Sequence, residues 1–168
     1  MGINFAEGLM DKPGILQYQQ CDYSGTGSTA NDGNNPWFFL NCSITPTNSN
    51  SRIMVMAFIG GIGSNQDNAG NFVLRRNSTN IAIGNSASNR PRGTGHWWRG
   101  YSDWCALAYQ VNYIDHPNTT SSVTYRVGVA NGNSNATLYV NRSQRDNNSS
   151  SEDARSISLL TLIEFGRN

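Results

Sequence analysis

The chain has almost no lysine. Lys12 stands alone against eleven arginines, and charged residues make up only 14% of 168 positions. A formal net charge of +1 gives no field to draw in nucleic acid or an anionic membrane, so neither is expected as a partner. Long apolar runs are missing too. No segment approaches the roughly 20 apolar residues of a spanning helix, which excludes that kind of membrane insertion. Residues 1–13 carry no signal-peptide core, because Asp11 and Lys12 interrupt them.

Chemistry-bearing side chains are equally scarce. The only imidazoles are His96 and His116, and no nucleophile motif such as GxSxG accompanies them. Asp103 and Asp115 are the one conceivable carboxylate pair for glycoside hydrolysis. Gly60-Gly61-Ile62-Gly63 is not a phosphate loop, since no lysine follows it. Asp67-Asn68 and Asp146-Asn147 lack the ordered oxygen spacing of a calcium loop. Cys21, Cys42 and Cys105 are odd in number and have no zinc-ligand spacing. Each falls in an apparent strand, and three buried thiols is the preferred reading over a disulfide plus one thiol. No catalytic residue, metal or cofactor is therefore assigned, and the chain is expected not to be an enzyme.

What is abundant is asparagine, serine, threonine and glycine, a surface of amides and hydroxyls rich in turns. Between the turns the apolar residues alternate. Residues 123–129 put Val123, Tyr125, Val127 and Val129 on one face, and residues 136–140 repeat the pattern with Ala136, Leu138 and Val140. With Asn131-Gly132-Asn133-Ser134-Asn135 between them, these two segments predict a central hairpin. Further strands are predicted over 15–23, over 37–44 with Phe38, Leu40, Cys42 and Ile44 on one face, and over 104–114. A small hairpin is predicted around Asn77-Ser78-Thr79. Helical periodicity is absent over any useful length. About eight to ten short strands in one domain, residues 14–168, mean an all-β antiparallel sandwich, with a jelly roll favoured.

Two strands are apolar on both sides. In residues 52–59, which Gly60, Gly61 and Gly63 are expected to end, Met54, Met56 and Phe58 oppose Ile53, Val55, Ala57 and Ile59. In residues 157–165, Leu160 and Leu162 oppose Ile157, Leu159, Ile163 and Phe165. An antiparallel sheet normally turns one face to water, so neighbouring subunits are expected to cover Met54, Met56, Phe58, Leu160 and Leu162. A homotrimer is the expected assembly. Residues 1–13 read as an attachment arm with Phe5, Leu9 and Met10 as its apolar contacts. The cluster Trp97, Trp98, Tyr101 and Trp104, beside Arg92 and Arg99, has two readings: core edge, or a sugar- or protein-binding surface through Arg92, Trp97, Arg99 and Tyr101.

Several segments together resemble a known family. They are Ile44-Thr45-Pro46 with Ser51-Arg52-Ile53-Met54-Val55, then Asn71-Phe72-Val73-Leu74-Arg75-Arg76-Asn77-Ser78-Thr79. Tyr113-Ile114-Asp115-His116-Pro117-Asn118-Thr119-Thr120-Ser121 and Ser158-Leu159-Leu160-Thr161-Leu162-Ile163-Glu164 complete the set. Over about residues 15–166 the chain looks like the C-terminal domain of marine and cyanobacterial tailed-phage fibre proteins, whose architecture is similar to the trimeric C1q and tumour-necrosis-factor jelly roll. The resemblance implies an inner sheet, with the last strand in it, lining a three-fold axis. It also implies a virion-surface location, other virion proteins as partners and a host surface glycan as a further partner. Only residues 1–13 precede the domain, where a fibre carries a long shaft, so a stand-alone capsid decoration protein is expected. A receptor-binding fibre tip is the alternative, and a carbohydrate-degrading enzyme a more distant one.

Overall fold

The computed structural model describes residues 14–30, 34–67, 69–98, 102–132, 135–148 and 152–166. These form two antiparallel sheets whose inner faces share one hydrophobic core. The strands are β1 (Ile15–Tyr23), β2 (Gly27–Thr29), β3 (Trp37–Ile44), β4 (Arg52–Ser64), β5 (Ala69–Arg76) and β6 (Thr79–Ile81). They continue with β7 (Gly95–Trp98), β8 (Leu107–Asp115), β9 (Val123–Asn131), β10 (Leu138–Val140) and β11 (Ser158–Phe165). One sheet runs β1-β11-β4, with β8 along the first part of β4, and β10 followed by β2 along its end. The other runs β3-β9-β5, and β6 and β7 pair with opposite ends of β5.

The predicted central hairpin does not form. β9 pairs with β3 and β5, whereas β10 lies in the opposite sheet between β4 and β2. The turn after β9 therefore crosses the sandwich. Buried Asn131 holds the crossing by donating its amide to the carbonyls of Ala136 (2.7 Å) and Thr29 (3.3 Å). Alternation predicts each strand but is silent on its partner.

The glycines do not end β4. The strand runs through Gly60 and Gly61 with a shift of register between Ile59 and Ile62. A side chain at Gly60 would collide with the Ile157 carbonyl, so the glycine permits a bulge and a close crossing. A second bulge, between Phe38 and Leu40, turns Phe39 into the core and leaves Phe38 outside, lying across Gly128. The predicted face of residues 37–44 is thus corrected at its first member.

Cys21 of β1 and Cys42 of β3 are joined by a disulfide with Cα atoms 5.5 Å apart, and Cys105 is the free thiol. Three thiols were the wrong reading, because the bridge links strands of different sheets and spacing along the chain does not reveal it. Leu160 and Leu162 also change place. Leu160 sits opposite Cys21 and Ala57, Leu162 opposite Val55, and both are fully buried. Directly paired residues share a face, so neither leucine belongs to an outward interface.

Candidate functional site

The outer face of the β1-β11-β4-β8 sheet follows from this register. Tyr18, Ile163, Met54 and Ile114 form one row across the four strands. Asp22, Leu159, Phe58 and Gln110 form another, and Gln20, Thr161, Met56 and Asn112 lie between. Tyr18 is 54% exposed, Ile114 45% and Phe58 38%. The polar groups of the middle row bond within the face, Thr161 donating to Gln20 and Gln110 to Asn112. The result is a face with one wholly apolar row and apolar residues at Leu159, Phe58 and Met56, polar amides and a hydroxyl between them, and its charge at the margins. Three of the five predicted interface residues, Met54, Met56 and Phe58, stand on it. Tyr18, Ile114, Leu159 and Ile163 were not among those five; Ile163 and Leu159 could be found only by assigning β11 the opposite inner face.

Beneath that face, Glu164 is fully buried beside Leu162 on the inner side. It accepts from Gln17 and from both the backbone and hydroxyl of Thr47, each Thr47 contact at 2.8 Å. Burial pushes its pKa up, but these donors and the nearby, poorly aligned Ser51 hydroxyl outweigh it and hold the carboxyl below its usual range. Gln17 also donates to the Thr45 carbonyl, so one carboxylate ties β11 to edge strand β1 and to the turn after β3.

The aromatic cluster separates. Consecutive strand residues point to opposite faces, so only one of Trp97 and Trp98 can be inside. It is Trp97, fully buried opposite Gly70, its ring N–H donating to the Ala130 carbonyl at 3.0 Å. The reading of Trp97 as a surface contact is corrected: it is the largest wholly buried side chain of the core. Trp98 and Trp104 are the half-exposed pair, Trp104 lying under the Arg145 guanidinium at 5.6 Å. Tyr109 links the two sheets here, its hydroxyl accepting from the Trp98 N–H and donating to the Trp98 carbonyl. Arg92 lies apart, donating to the Gly84 carbonyl. Arg99 and Tyr101 are outside the described residues, as are Phe5, Leu9 and Met10.

Of the acid-base candidates, the Asp115 side chain has structural employment. Asp115 is buried, accepts both Arg76 contacts (3.0 and 2.9 Å) and takes the Tyr125 hydroxyl at 2.7 Å. Burial first, then the bond to Asp115, pushes the Tyr125 pKa far up, so the tyrosine remains a donor. Asp115 has no free oxygen to offer as half of a glycosidase pair with Asp103. Asp146, weighed as a calcium ligand, is bound by Arg155 at 2.9 Å, and Arg145 binds Asp153 (2.7 Å) and Glu152 (2.8 Å). The Arg155 bond lowers the Asp146 pKa, and the bonds from Arg145 and Ser143 lower that of Asp153. Among the described residues no group of three His, Cys, Asp or Glu side chains could hold a metal ion. Compared with protein-family models and with curated protein sequences, the chain matches none.

Proposed function

We propose that this chain is a non-enzymatic structural protein of a tailed-phage surface, a jelly roll assembled as a trimer through the outer face of the β1-β11-β4-β8 sheet. The apolar row Tyr18, Ile163, Met54 and Ile114 carries the reading. Left in water it would be a contiguous patch of the kind that marks an interface. The last strand, β11, lies inside that sheet, as the C1q-like resemblance implies for strands around a three-fold axis. Repeated crossing between sheets, at β2–β3, β3–β4, β4–β5, β7–β8, β8–β9 and β9–β10, supports the jelly roll over a simple meander. The tailed-phage assignment rests on the resemblance over about residues 15–166. Capsid decoration is the preferred role. The purified protein is expected to bind empty phage heads, and deletion of residues 2–12 to abolish that binding. Undiminished binding by the truncated protein would remove the arm from the mechanism.

A second role, the receptor-binding tip, is favoured by one observation: Trp98 and Trp104 present half-exposed rings, that of Trp104 beneath the Arg145 guanidinium. On that reading the protein binds host cells rather than heads, and Trp98→Ala or Trp104→Ala weakens the binding. Full cell binding by both variants would remove the two tryptophans as the receptor site, and absence of cell binding by the wild type would leave decoration standing alone.

A further inference from the structure

The opposite outer face, that of β3-β9-β5-β6, carries arginines without acids. Arg75 and Arg126 are direct cross-strand partners on its surface. Like charges so placed destabilise a sheet, so the fold itself gives no reason for the pair. Arg75 is held in position, bonded to Asn80 at 2.8 Å and stacked 4.0 Å above the Phe38 ring. Burial first, then the Arg126 charge, lowers its pKa from the usual guanidinium range.

Asn80 also lines a hollow of about 300 Å³ between the sheet and the 82–94 loop, whose rim includes Arg90 and Arg92. Pro91 separates it from a second hollow of about 210 Å³, lined by Asn71 and His96. The Asn71 side chain is 8% exposed, and its Nδ2 has no hydrogen-bond partner. No carboxylate lines either hollow, and among the described residues none of Arg75, Arg90, Arg92 and Arg126 is ion-paired. Four guanidiniums therefore share one face with two adjoining hollows, the larger lined mainly by polar groups and the smaller mainly by apolar ones.

We infer that this face binds an anionic saccharide, with Arg90, Arg92 and Arg126 on its carboxylate or phosphate groups and the amides of Asn71 and Asn80 on its hydroxyls. Guanidinium matches both anions through paired N–H donors. Amides donate and accept, which suits hydroxyls. Single-stranded nucleic acid fits less well, because it calls for successive open aromatic platforms, and of the rings on this outer face Phe38 is covered by Arg75 while Trp98 alone is half-exposed among the described residues. The inference is independent of the assembly and of the phage reading, since it concerns the face turned away from the proposed interface.

The test is titration calorimetry of the full chain with oligogalacturonate, phosphomannan fragments, neutral galactan and a short single-stranded DNA. Binding of at least one acidic saccharide, weakened by salt and absent for galactan, is expected. Arg92→Gln and Arg126→Gln should each raise Kd about tenfold, the loss of one charge-assisted contact. Arg155→Gln, whose charge is spent on Asp146, should leave Kd unchanged. Circular dichroism melting confirms that each variant is folded, and Arg126 serves if Arg92→Gln is not. Which acidic saccharide binds separates carboxylate from phosphate. Failure of both to bind, unaltered Kd in the folded arginine variants, or DNA binding as tight as the saccharide would each overturn the inference.

Discussion

The two outer faces of this sandwich rest on one core and could hardly differ more. On β1-β11-β4-β8 the exposed side chains are Tyr18, Ile114, Phe58 and their neighbours, with charge only at the margins. On β3-β9-β5-β6 they include Arg75 and Arg126 side by side, with arginines of the 82–94 loop above. A protein with net charge +1 thus gathers unpaired arginines on one face, while the strands of the other carry a single arginine, Arg52, at the very start of β4. Whole-chain charge says nothing of such a division. On the proposed readings the first face is covered by other copies of the chain and the second meets something anionic.

Substitutions can break this comparison at several depths. The largest effect is expected inside the core that both faces share. Trp97→Ala should cost about 3–5 kcal/mol in chemical denaturation, the range for a buried aromatic, while Trp98→Ala should cost under about 1 kcal/mol. Equal costs would mean that the two rings have been assigned to the wrong sides. Next comes the link between the sheets. Closing a loop with a sequence separation of 21 residues, the Cys21–Cys42 bridge should contribute about 3 kcal/mol, read as the difference in urea midpoint with and without reductant.

Acid should then loosen the apolar-face sheet. The folded carboxyls of Glu164, Asp146 and Asp153 titrate below their unfolded values. Their contribution is therefore fully present above about pH 4.5 and is lost as pH falls through the lowered folded values. Glu164→Gln should flatten the acid limb of a stability-versus-pH profile; an unchanged limb would show that this carboxylate carries none of it. The smallest effect is expected on the arginine face, where Arg126→Gln should raise stability by about 0.2–1 kcal/mol by relieving its cross-strand repulsion. A loss of stability there would mean that Arg126 has a structural partner.

The sequence spoke clearly for the longer strands, whereas β2 and β7, three and four residues long, were not legible and the strand predicted over 104–114 begins at Leu107. Val123 to Val129 alternates over several residues, and Ile53 to Ile59 is a short apolar run bounded by turn residues, and either local pattern is enough to place a strand. Partnership is non-local, which is why β9 and β10 read as a hairpin although they lie in different sheets. Bulges add one residue without an apolar signal, so Phe38 and Phe39 exchanged faces, and β4 ran on through its glycines. For β11, apolar on both sides, alternation gave two faces but not which was inner; the register of Leu160 and Leu162 with Cys21, Ala57 and Val55 decides it. The adjacent tryptophans posed the same two-way choice. Of the candidate site, Met54, Met56 and Phe58 were legible. The arginine face was not, because Arg75, Arg90, Arg92 and Arg126 are scattered in sequence and meet only through sheet register and one loop.

The most direct test of the division between faces is the native mass of the protein at low micromolar concentration, measured for the wild type and for Ile163→Glu. A trimer that Ile163→Glu reduces to a folded monomer is the predicted result, with Arg126→Gln remaining trimeric. A wild-type protein that stays monomeric would contradict the assignment of the apolar face to other copies of the chain.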